Sequence, residues 1–334
     1  MHMPIAVANE SSTEKPFPRW QGLQVKEVEG SLSEIAESIP VFATRPFRFI
    51  EGNLCSLNTR LKLVVREPAK PNEVPMPVGV VSKSYRLVQH RTVFSTALDA
   101  LSKAGIRLEQ VQGSLRITEY GECMALSLLF PEDDPYTFIL TPRGDQLRLR
   151  LQCFNSVDGS MRFMAMLGWY RFVCSNGLLA GEVRVNFRKR HDPYLDPLRI
   201  HEVLSTGVSS LIEEKKLYTR WLQTRIDNTS LRRWVDGPLK AKWGVKLAAR
   251  TYCIARTGRD CRFPYHFEKC PPSEKTIEPT AAVPGSWVPA DNAFAVSQVL
   301  SWLAKERHEI PEQMERMSEI PDLMRKLMGA EDKE

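Results

Sequence analysis

"NSVDGSMRFMAMLGWYRFVCSNGLLAGE", residues 155–182, is the most patterned segment of the chain. A polar, glycine-bearing turn leads into fourteen mostly apolar residues and out through a second turn, "SNG", beside Cys174. Asn and Asp fold their side chains onto nearby amides and Gly accepts positive φ, so "NSVDGS" has the chemistry of a tight turn. Fourteen residues is long for one strand, and Gly168 in its middle predicts a β-bulge that flips side-chain parity. With that flip Met161, Phe163, Ala165, Leu167, Tyr170, Phe172 and Cys174 share one face. Arg162, Met164, Met166, Trp169, Arg171 and Val173 share the other. Cys174 has no helix N-terminus after it and no histidine near in sequence, so it reads as a small core residue rather than a nucleophile.

Around this block, residues 106–188 carry a β pattern. Candidate strands fall at 106–111, 115–119, 122–130, 136–141, 146–153, 161–174 and 183–188, divided by turn signals such as "PEDDP" and "PRGD". Such short spacing predicts hairpins and a largely antiparallel sheet. Upstream, "SLSE" at 31–34 is a capping box that starts a short helix ending at Pro40. "LNTRLKLVV" at 57–65 alternates as a strand, and "RTVFSTALDALSKAG" is a helix that stops at Gly105. Downstream the period becomes helical. One long helix, or two joined near Gly207, is expected over 198–226, another from Pro238 to about Ile254, and an amphipathic one after Asp291 as cap. Short helices are expected at 311–318 and 321–328.

The expected class is therefore α+β: a mainly antiparallel sheet core with helices, followed by a helical C-terminal half. The expected organisation is a flexible tail (1–18), a sheet domain (19–190), a basic helical region (191–263), a proline-rich linker (264–290) and C-terminal helices (291–334).

The net charge is +6, with 46 Lys and Arg against 40 Asp and Glu. From Glu182 to Arg262 there are 18 bases and 9 acids, so that region carries +9 and the rest 6 − 9 = −3. This asymmetry permits a polyanionic partner. Seven cysteines, an odd number, and an N-terminus with no basic start or long apolar core predict a cytoplasmic protein with no membrane span.

The 155–182 block resembles the shared core of an uncharacterised phage- and plasmid-borne family, domain of unknown function 932. Its pattern is N-S-x-D-G-S followed by an apolar strand ending R-F-V-C-[ST]-N-G-L. "VSKSYRLVQHRTVF", "ARTGRD" and "NAFAVSQVLSWLAKER" are similar to further segments of it. The resemblance implies a mobile-element protein and brings no established activity or catalytic residue.

Function is read from the strand faces. Arg60 and Lys62, Arg148 and Arg150, and Arg184 and Arg188 occupy alternate positions, and Arg162 and Arg171 join them through the bulge. Aligned on one water-facing side, these groups would clamp phosphates, with Trp169 as a base-stacking platform. The expected contact residues are Arg148, Arg150, Arg162, Arg171, Arg184, Arg188 and Trp169. A solvated antiparallel face explains the same alternation without a ligand.

The expected function is thus non-enzymatic nucleic-acid binding by a mobile element, with single strands in recombination or replication as one setting. A host-protein partner, as an inhibitor of a defence or restriction system, is the alternative. A metal-dependent nuclease built on "PEDDP" is the second. No cofactor is expected. Cys253, Cys261, His266 and Cys270 are spaced too widely for a standard zinc knuckle.

Overall fold

The computed structural model describes residues 24–140, 146–171, 185–262, 278–283, 285–306 and 310–329. The architecture is α+β, with antiparallel sheets first and helices mainly in the C-terminal half. The Ser31 capping box is formed: its hydroxyl accepts from the Glu34 amide and its own amide donates to Glu34 Oε2 at 2.7 Å. It launches α1 (Leu32–Ser38), which buries Ile35.

The main sheet has strand order β1 (Val25–Gly30), β5 (Gln112–Thr118), β6 (Cys123–Leu129), β8 (Gln146–Ser156), β9 (Phe163–Arg171), β10 (Val185–Lys189). The short β7 (Thr137–Ile139) also pairs with β8, beyond the end of β6. Residues 106–111, expected as a strand, instead hold a 3-10 turn at Leu108–Gln110, and pairing starts at Gln112.

The bulge expected at Gly168 is absent. β8 and β9 pair without a break from Leu147↔Arg171 to Phe154↔Met164. Parity therefore does not flip. Trp169 lies opposite Leu149 and shares the face of Leu147 and Leu151, while Arg148 and Arg150 share the other with Met166 and Tyr170.

A second, three-stranded sheet is built from β2 (Phe42–Glu51), β3 (Leu54–Arg66) and β4 (Met76–Ser82). α2 (His90–Lys103) follows and buries Val93, Ala97 and Leu101, the stripe its spacing predicts.

α3 (Arg199–Gln223) runs through Gly207 as one helix. Gly207 sits against Leu167 of β9, where a Cβ would collide. The next helix begins earlier than expected: α4 (Asn228–Trp234) is capped by Asp227, and Pro238 falls in a π turn, Val235–Leu239. α5 (Lys240–Thr257) bends at Gly244, where φ is +84°. β11 (Arg259–Arg262) and β12 (Glu278–Ala282) form a small ribbon. Asn292, not Asp291, caps α6 (Ala293–Lys305), its Oδ1 accepting from the Ala295 amide at 2.8 Å. The two expected terminal helices are one, α7 (Ile310–Leu327), with Pro321 inside it.

A continuous apolar core runs from Ile35 through the main sheet to Leu327. A smaller one joins Phe42, Val64 and Val81 of the second sheet to Val157. Among the described residues, no helix is long and apolar enough to cross a membrane.

Candidate functional site

The expected basic face is not an open surface. Arg148 is 2% exposed and Arg150 7%, and Trp169 is fully buried. Arg148 donates to Glu132 Oε1 at 2.6 Å, to the Phe130 carbonyl and to Gln112. Burial lowers its pKa, and Glu132 works against that shift. The Arg150 guanidinium lies 4.1 Å from the centroid of the Tyr170 ring. Burial pulls its pKa down to about 10, so it stays charged at neutral pH. Lys305, at the end of α6, is close enough for Arg150 to lower its pKa further below a value already depressed by burial. Trp169 packs edge-on to Tyr218 of α3 and donates its indole N–H to Glu214. Trp169 is covered by α3, while Arg148 and Arg150, on the opposite face, meet the chain that follows β6 and Lys305; sequence periodicity leaves the two faces equivalent. Arg184 lies outside the described residues. Arg171 pairs through its backbone with Leu147, and its side chain is outside the described set.

Arg162 and Arg188 belong elsewhere. Arg188 is exposed and Arg162 half-buried, both at the sheet end where Lys189 pairs with Phe163. That end adjoins the second sheet, whose strands carry exposed apolar and basic residues.

β2 and β3 form a long hairpin closed by Gly52-Asn53, with Gly52 at φ +56°. A two-residue turn with positive φ matches the right-handed twist of its strands. Pro46 pairs with Lys62, but Phe47 pairs with Asn58, so β3 carries three extra residues, Thr59 to Leu61. Pro46 lacks the N–H a regular ladder needs, which suits it to such a break. Asn58 Oδ1 holds the extra residues by accepting from the Arg60 and Leu61 amides at 2.9 and 3.1 Å.

Beyond this break the hairpin is an arm. Every residue from Arg48 to Arg60 is exposed. Phe49, Ile50 and Leu54 are 65%, 68% and 76% exposed at its end, with Leu57 behind them. Paired residues share a face, so Phe49 and Leu54 lie on one side and Arg48, Ile50 and Leu57 on the other.

The base of the arm is docked on the "NSVDGS" turn. β4 passes so close that a Cβ on Gly79 would meet Asp158 Cβ and Cα at 2.7 and 2.8 Å. Tyr85 donates to the Ser156 carbonyl at 2.9 Å and stacks on His191 with centroids 5.0 Å apart. Lys62 Nζ donates to the Tyr85 carbonyl at 2.9 Å. Asn155 Nδ2 donates to the Val88 carbonyl and to His90 Nδ1, and His90 Nε2–H reaches the Gly121 carbonyl. The polar residues of the turn thus bind the second sheet and α2 to the first. Burial pushes the Cys123 thiol beside it up to about 12, far from a thiolate.

Backbone bonds connect the arm's cations to β10. The Lys83 amide donates to the Arg60 carbonyl at 2.8 Å and the Arg86 amide to the His191 carbonyl at 3.0 Å. Arg48, Arg60, Lys83, Arg86, Arg188 and Arg190 are all exposed along this path. Residues 42–86 contain eight Lys and Arg against three Asp and Glu. Arg60 and Lys62 are visible as a strand alternation, but β2 is not, because Pro46 interrupts it. "EGNL" between two β-rich runs is the signal that reveals the hairpin.

Other candidate chemistry is dispersed. In "PEDDP", Glu132 pairs with Arg148, Asp133 with Arg107 and Asp134 with Lys215, three partners on separate elements. The Cys253 thiol donates to the Arg259 carbonyl at 3.4 Å and Cys261 is buried on β11, while His266 and Cys270 lie outside the described residues. Among the described residues no group of three or more His, Cys, Asp or Glu is placed to hold a metal ion. Trp234 and Trp243, set among basic residues, anchor α7 through Leu323 and Glu319.

No curated protein and no solved structure matches the chain. The model of one family matches residues 77–275, which takes in β4, the Tyr85 loop, the "NSVDGS" turn and β10 but not the arm. With more than half of its length matched, the chain belongs to the family described as Domain of unknown function (DUF932).

Proposed function

We propose that this protein binds nucleic acid without catalysing a reaction on it. Its contact surface is the β2–β3 arm and the basic path from Arg60 through Arg86 to Arg188 and Arg190. The observation that carries the reading is this path: exposed cations on three separate elements, brought together where the sequence scatters them. Arg offers a two-pronged donor to phosphate, and each neutralised phosphate releases counterions. Most acids near the arm's base are held already, Glu67 by Arg45 at 2.7 Å and Asp192 by Lys189 at 3.6 Å. A phage or plasmid element as the setting rests on the resemblance of the 155–182 block.

Fluorescence anisotropy with labelled oligonucleotides across a salt series tests this. With about four to six phosphate contacts, the log–log slope of affinity against salt is about −4 to −5 on a duplex. Absence of binding at low ionic strength overturns the reading.

The exposed apolar end of the arm favours one second reading, a host-protein partner. A partner retained on the immobilised protein after nuclease treatment, and lost with the arm deleted, favours it.

A further inference from the structure

Resting on the nucleic-acid reading, we infer that the ligand is duplex DNA and that the arm's end, with Ile50 on one face of the ribbon and Leu54 on the other, wedges between neighbouring base pairs and kinks the helix. Phosphate contact explains the cations but not the apolar residues ahead of them. Phe49, Ile50, Leu54 and Leu57 stand in water on a ribbon with no core of its own. In a nucleic acid the one apolar environment is the base stack.

The side-chain types choose between strand states. Binding of single strands uses aromatic rings as platforms, and Phe49 is the single exposed ring at the arm's end. Ile50, Leu54 and Leu57 have no π-face. Aliphatic groups act instead by prying open a base step, as minor-groove architectural proteins do with Leu, Ile and Phe.

The geometry fits that role. The paired part of the arm beyond Pro46, Phe47–Glu51, extends about 17 Å at the usual strand rise. Arg48 lies two residues, about 7 Å, behind Ile50 on the same face, placed to hold the backbone beside an opened step. Charge selects the polyanion over a second copy of this chain, whose residues 42–86 carry the same eight Lys and Arg against three Asp and Glu. The Gly52-Asn53 turn keeps the end narrow, and the anchor of β4 on Asp158 gives the ribbon a fixed base to push from.

The test uses the full chain, a 30-base-pair duplex with donor and acceptor dyes at its ends, and the matching single strand. Binding of the wild type should raise energy transfer on the duplex, and a central TA step should tighten binding several-fold, because such steps unstack readily. I50S/L54S should bind within about threefold of wild type yet leave transfer at the free-DNA value. R48A/R60A should weaken binding tenfold or more. Duplex binding with unchanged transfer, tighter binding to the single strand, or undiminished bending by I50S/L54S each overturns the wedge and leaves the nucleic-acid reading standing. Failure to bind any nucleic acid overturns both.

Discussion

Trp169 Nε1 donates to Glu214 Oε2 at 2.6 Å, joining the middle of β9 to α3 inside the core. Ser210 donates to the other oxygen of the same carboxylate at 2.9 Å. Glu214→Ala leaves a buried indole N–H without this acceptor and should cost about 1–3 kcal/mol. Glu214→Gln keeps an oxygen in place and should cost less. Urea denaturation followed by tryptophan fluorescence compares the two.

Arg148 is a structural residue in this fold. Arg148→Ala strands the buried Phe130 carbonyl, while Glu132 is exposed and turns to water, so the change should destabilise by about 1–3 kcal/mol. At temperatures where the variant is folded, the salt slope for oligonucleotide binding should equal that of the wild type. A changed slope with unchanged stability would return Arg148 to the surface.

Arg60→Ala and Arg188→Ala make the opposite prediction. Both side chains are exposed, so stability should move by no more than about 0.5 kcal/mol. Each should lower the magnitude of the salt slope by about one. Anisotropy titrations at four salt concentrations resolve that difference.

His90 gives the fold a pH dependence. Its Nδ1 accepts from Asn155, so a proton there has no acceptor to meet, and burial pulls its pKa down to about 4. In the unfolded chain a histidine titrates near 6.5. Between those values the unfolded state binds the extra proton. The contribution of His90 is therefore complete above about pH 6.5 and is lost as the pH falls toward 4, on the order of 3 kcal/mol in all. Urea midpoints at pH 7.5 and 4.5 should differ less in His90→Gln than in the wild type.

Gly79→Ala should loosen the arm's base. Its Cβ would press on the backbone of Asp158, which cannot swing aside as a side-chain end can. A cost of about 1–3 kcal/mol is expected. Hydrogen exchange should speed up in β2, β3 and β4 and stay unchanged in β8 and β9.

Local chemistry was legible where one short segment contains all of its causes. Ser31 and Glu34 make a capping box by themselves, and the Val93–Ala97–Leu101 stripe finds a core wherever α2 packs. "NSVDGS" forms its turn because Asp158 bonds Ser160 within the motif. Gly168 misled because a glycine fits a bulge but does not require one, and the unbroken ladder of β8 decides the register of β9. The candidate site was half visible. Arg60, Lys62 and Arg188 stood out as alternating bases, while the arm that gathers the first two was hidden by Pro46.

The α+β class, the order of most strands and helices, the turns and the family follow from near neighbours in the chain and from the pattern they repeat. Which arginines meet water depends instead on packing between separate elements. Alternation divides a strand into two faces with equal claim to the solvent, and the distinction comes from the segments that close over them: Phe130 and Glu132 on Arg148, Lys305 beside Arg150, Glu214 and Tyr218 on Trp169. That closure buried Arg148, Arg150 and Trp169, and left Arg48, Arg60 and Arg188 outside.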